Sequence, residues 1–75
     1  MILTTGERLR VLRGRAGLTL AAAAGSVGCS AERLARVELG AASPSLILMR
    51  RLAELYGVAP TDLIAAPPDA PDGAA

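Results

Sequence analysis

The stretch Leu18–Gly40, LTLAAAAGSVGCSAERLARVELG, decides how the rest of the chain is read. Thr19 is a good N-cap, and the residues after it, Leu20 to Ala24, are strong helix formers. Gly28 suits the left-handed conformation that ends a helix, and Ser30 two residues later suits the cap of the next one. Ala31–Leu39 is a second helical run, closed by Gly40. Two short helices joined by a glycine-containing turn of three or four residues have the spacing of a helix-turn-helix. The second helix of such a unit is the one that enters a DNA major groove.

Working outward, Thr4 and Glu7 have the spacing of a capping box, and the pattern predicts helix 1 over about Thr5–Ala16. Leu9, Leu12 and Ala16 fall on its inward face. Helix 2 is expected over about Leu20–Val27. Helix 3 is expected over Ala31–Leu39, with Leu34 and Val37 inward. Ser45 caps a helix 4 over about Leu46–Tyr56, with Leu48, Met49, Leu52 and Tyr56 facing the core and Gly57 as its stop. Pro60 at a first helical turn and Asp62 near its N-terminus predict a short helix 5, docked through Leu63 and Ile64. The expected fold is thus all-α with five helices, in one domain over residues 1–66. The Pro-rich, weakly apolar residues 67–75 read as a disordered tail.

Composition narrows the function. The 75 residues carry one cysteine and no histidine, which excludes an internal disulfide and a histidine metal site. No cofactor is expected, and no nucleophile–base constellation that would mark an enzyme is visible. Cys29 reads as a small apolar plug in the turn. The net charge is only +1, but it is unevenly placed. Residues 1–66 hold all eight arginines and five of the seven acids, a balance of +3, while the tail carries Asp69 and Asp72. The uncharged run between Arg15 and Glu32 is too short and too weakly apolar to span a membrane, and Met1-Ile2-Leu3 meets Glu7 and Arg8 at once, unlike a secretory signal. The expected location is cytoplasmic.

In order and spacing, GERLRVLRGRAGLT, RLARVELG, SPSL and LAELYGVAPTDLI resemble the phage-repressor helix-turn-helix family, the Cro/CI or XRE type, from about Gly6 to Ile64. The resemblance implies a transcriptional regulator, commonly a repressor, that binds double-stranded DNA as a homodimer. It implies that Glu38 pairs with Arg13, that Thr19 and Arg13 meet the DNA backbone, and that Ala31, Glu32 and Arg36 lie at base-reading positions. Arg33, one step round the helix, would serve phosphate or solvent. Arg36 suits guanine and Glu32 suits cytosine. Dimerisation would fall to helices 4 and 5 or to the termini, with Leu55, Val58, Leu63 and Ile64 as candidates.

The chain departs from that family at the positions meant to meet DNA. Leu20 stands where glutamine is frequent, Leu39 where a polar or basic residue is usual, and Ile47 where a polar one is expected. The loop Ala41-Ala42-Ser43 is uncharged. Apolar side chains there release no counterions. The alternative reading is therefore a helix-turn-helix reused as a protein-interaction module, an antirepressor, inhibitor or adaptor, through an apolar face containing Leu20, Leu39 and Ile47.

Overall fold

The computed structural model describes residues 3–64. Four α-helices follow in order: α1 Thr5–Arg15, α2 Leu20–Val27, α3 Ala31–Leu39 and α4 Leu46–Tyr56, then a 3-10 helix at Pro60–Leu63. The tail expected at 67–75 lies outside the described residues, as does the end of the proposed 1–66 domain.

Each α-helix starts on a hydroxyl. Thr4, Thr19, Ser30 and Ser45 accept from Glu7, Ala22, Arg33 and Leu48 backbone amides, each at 3.0–3.1 Å. At α1 the box is closed, since the Thr4 amide donates to Glu7 Oε1 at 2.8 Å. These bonds satisfy amides that have no partner within the helix. The α2–α3 turn depends on Gly28, whose φ of 79° would strain any other L-residue.

The core is built from one to three side chains per element. Leu9 of α1, Leu34 of α3, Leu52 of α4 and Leu63 of the 3-10 helix are fully buried together. From α2 come only Ala23, Ala24 and Val27, small residues that bring its backbone close to its neighbours. Helix α3 packs on α1 and α2, while α4 packs on α2 and the 3-10 helix. Cys29 is half-buried against this cluster.

Three expectations are corrected. The fifth element is not an α-helix: the Asp62 amide donates to Ala59 O and Ile64 N to Thr61 O, both three residues back. Four residues give too few bonds to offset an α-helical nucleus, and Leu63 is already seated. Ile64 lies just past this turn and is exposed rather than docked. Ala16 caps the end of α1 and is exposed, so the inward face of α1 is Leu9 with a half-buried Leu12.

Gly6 is buried where α1 crosses the end of α3, and a Cβ there would collide with the backbone carbonyl oxygens of Val37 and Glu38. Gly14, in the same helix, has nothing near its missing Cβ. Gly6→Ala is expected to destabilise the fold by about 1–3 kcal/mol through overpacking. Gly14→Ala should stabilise it by about 0.5–1 kcal/mol through helix propensity. Thermal melts of the two variants against the parent chain check both signs.

Candidate nucleic-acid interface

Successive α-helical residues advance by 100°, and this sets what α3 presents. Leu34, Val37 and Glu38 point into the protein, so Glu32, Arg36 and Leu39 share the outer face. Arg33 lies at one edge, and Ala31 and Ala35, both half-buried, lie towards the other. Glu32, Arg33 and Arg36 are exposed, and their side chains form no hydrogen bond or ion pair among the described residues. Two cations and one anion therefore stand free on the same short helix.

Beneath this face lies one ion pair. Arg13 Nε donates to Glu38 Oε2 at 2.8 Å and Nη2 to Oε1 at 3.0 Å, a bidentate contact. The Glu38 side chain is 5% exposed and that of Arg13 is 18% exposed. Arg13 Nη1 also donates to the Leu18 carbonyl at 3.0 Å, so one guanidinium holds α1, the entry to α2 and α3. The hydrogen bond to Glu38 raises the Arg13 pKa, against an opposing effect of burial. Thr19 caps α2 through its hydroxyl and is exposed.

Among the recesses that border α3, two hold arginines from other helices. One, of about 240 Å³, lies between α1, α2 and α3 and contains Arg10, Arg13, Leu20 and Leu39. The other, of about 140 Å³, lies by the α2–α3 turn and the start of α4 and contains Arg33, Ser45, Ile47 and Arg51. The three apolar departures thus do not share one recess. Leu20 is half-buried against the core, whereas Leu39 and Ile47 are 77% and 62% exposed. Leu46, which the sequence reading passed over, is 74% exposed beside Ile47. Its only signal was position: it leads α4, before the inward Leu48. Of the residues considered for dimerisation, Leu63 is buried, Leu55 and Val58 are half-buried and Ile64 is exposed.

A family model described as a helix-turn-helix domain matches residues 5–66. The chain belongs to the helix-turn-helix family of the XRE type. It is 41% identical over 58 residues to the HTH-type transcriptional regulator DdrOP3 of Deinococcus deserti. That match takes in 77% of this chain and 45% of the relative, so the chain spans less than half of that protein's length. Among solved structures, it resembles the restriction-modification controller protein C.AhdI from Aeromonas hydrophila. There the TM-score is 0.76 at 32% identity, with 80% of this chain and 91% of that one covered. The P22 c2 repressor protein, solved in complex with a synthetic operator, shares the fold. It gives a TM-score of 0.80 at 24% identity, with 83% and 94% covered. No helix among the described residues is long and apolar enough to cross a membrane, and no group of His, Cys, Asp or Glu among them could hold a metal ion.

Two predictions follow from the buried pair. Arg13→Ala leaves the Glu38 carboxylate shielded and without its cation. It should cost roughly 2–4 kcal/mol in chemical denaturation, above the ~0–1 kcal/mol of an exposed pair. Tyr56 titrates above its ordinary 10.0, first because of burial and then because of the Glu38 charge. A phenol whose pKa is raised on folding stabilises the fold fully below its unfolded value, and this contribution falls away as pH rises through the folded one. Tyr56 is the only aromatic residue, so tyrosinate absorbance reads it directly. The midpoint should lie above 10.0 and should fall in Glu38→Gln.

Proposed function

We propose that this chain is a DNA-binding transcriptional regulator of the repressor type, with α3 reading the major groove of double-stranded DNA. The observation that carries the reading is the outer face of α3. Glu32 and Arg36, four residues apart on one face, and Arg33 beside them are exposed and uncommitted, on a helix whose other side is locked into the core. A helix held by its back and free on its front can offer a fixed pattern of donors and acceptors to base edges. Arg36 donates two hydrogen bonds to guanine, Glu32 accepts from cytosine N4, and the short Ala31 allows close approach. Arg33 serves the sugar–phosphate backbone. Thr19, at an exposed helix start, and Arg13, in the recess beside it, meet the backbone at the other edge. The DNA-related relatives support this reading: DdrOP3 is named a transcriptional regulator, and the P22 c2 repressor was solved on an operator.

The working unit in this reading is a cytoplasmic homodimer on a two-fold operator, since one α3 covers only a few base pairs. The half-buried Leu55 and Val58 and the exposed Ile64 are the residues available for it. A second reading rests on the exposure of Leu39, Leu46 and Ile47, which suits a protein partner better than phosphate. In that case Leu39→Arg or Ile47→Glu abolishes partner binding, and DNA affinity is absent even at low salt.

Fluorescence anisotropy with pooled random duplexes at two salt concentrations, followed by selection of the bound sequences, separates the two. Salt-dependent binding that enriches a two-fold motif is the expected result. On the selected duplex, Arg36→Ala should cost about 1–3 kcal/mol and relax preference at one base pair. Unchanged affinity and preference would remove Arg36 from the reading role.

A further inference from the structure

The 140 Å³ recess on the α4 side of α3 has an unusual charge balance. Its lining holds two arginines, Arg33 and Arg51, and no carboxylate. Glu54 borders the adjoining recess together with Arg51, yet no Arg51–Glu54 ion pair forms among the described residues. Two arginines lining one concavity without a carboxylate leave it a local excess of positive charge, which a bound anion neutralises.

Arg51 is also held in place. Its Nη1 donates to the Val27 carbonyl at 3.2 Å, at the end of α2. A Cβ on residue 28 would come within 3.2 Å of the same nitrogen, so glycine there leaves the guanidinium its space. One donor is used, and the rest of the fork remains for a ligand. The Ser45 hydroxyl, which accepts from the Leu48 amide, keeps its own proton to donate into the recess. The volume is well below the roughly 300–1,000 Å³ of a small-molecule site. At about 30 Å³ per water it has room for four or five waters, enough to admit a phosphate group with part of its hydration.

Position gives the ligand its source. Helix α3 has Arg10 and Arg13 in the recess along one edge and Arg33 and Arg51 in the recess along the other. A helix seated in a major groove about 12 Å wide has a sugar–phosphate strand on each side. We propose that Arg33 and Arg51 together bind one backbone phosphate of one DNA strand, and that the recess holding Arg10 and Arg13 faces the opposite strand. This rests on the DNA-binding reading above. The arrangement makes Arg51 a positioning residue as well as a ligand: the guanidinium that grips the strand also holds the turn from which α3 starts.

The test uses the full chain and the duplex selected above. Dissociation constants are measured across a salt series for the parent, Arg10→Gln, Arg33→Gln, Arg51→Gln and the Arg33→Gln/Arg51→Gln double variant. In the double variant the slope of log affinity against log salt should fall by about 0.9, the value of one phosphate contact. Affinity at low salt should drop about tenfold, equally on selected and scrambled duplexes. Phosphate ethylation should interfere with parent binding on both strands. The double variant should lose the signal on one strand and Arg10→Gln on the other. If Arg51→Gln lowers the melting temperature, Arg33→Gln decides the matter. Arg33 is exposed and its side chain has no bond to break, so it should lose the same strand's signal without a change in stability. Retention of the parent slope and of interference on both strands by a folded double variant overturns the proposal while leaving the DNA-binding reading intact. A parent chain that binds no duplex at about 50 mM salt overturns both.

Discussion

The guanidinium of Arg13 bonds to three oxygens belonging to two other segments of the chain. Both oxygens of Glu38 are occupied by it, so the carboxylate can be buried without the cost of an unpaired charge. The Leu18 carbonyl, at the entry to α2, is fixed by the same group. Hydrophobic contacts alone would permit α3 to roll on α1 and α2, since Leu34 and Val37 meet an apolar surface that accepts small rotations. A bidentate contact at 2.8 and 3.0 Å does not accept them. The aim of the outer face of α3 depends on this charge pair. The backbone of Gly6 sits at the same crossing, where a side chain would separate the two helices.

Much of this architecture was legible because its signals are local. Thr4, Thr19, Ser30 and Ser45 mark four helix starts, and each acts on an amide three residues away. The bounds of α2, α3 and α4 can therefore be read without knowledge of the tertiary structure. Where the reading went astray, local preference did not decide. Pro60 and Asp62 favour a helical turn, but whether that turn becomes α or 3-10 depends on chain length and on the seating of Leu63. Ile64 continues the apolar pattern yet falls outside the packed turn.

The site was only partly visible for the same reason. Arg36, Arg33 and Glu32 could be placed on α3 from periodicity, and the pairing of Arg13 with Glu38 came from a family resemblance. Arg51 gave no local sign. Its partner carbonyl at Val27 is 24 residues away, and the recess it shares with Arg33 exists only once α4 lies beside the turn. Arg8, which reaches the Asp62 carbonyl across 54 residues at 3.4 Å, is another basic residue whose contact no local pattern announces. The eleven residues between Glu38 and Arg50 contribute no charge at all. Positive charge next to α3 is thus concentrated along its edges, while the loop that follows it carries none.

The division of α3 into a committed back and an uncommitted front has an evolutionary consequence. Leu34, Val37 and Glu38 carry the stability of the helix, while the side chains of Glu32, Arg33 and Arg36 form no hydrogen bond or ion pair among the described residues. Surface positions of that kind change stability by only about ±0.5 kcal/mol when substituted. A lineage carrying this domain can exchange those three residues almost freely, and the scaffold registers little of the change. The chemistry that this face offers can drift or diversify after gene duplication while the fold stays where selection left it.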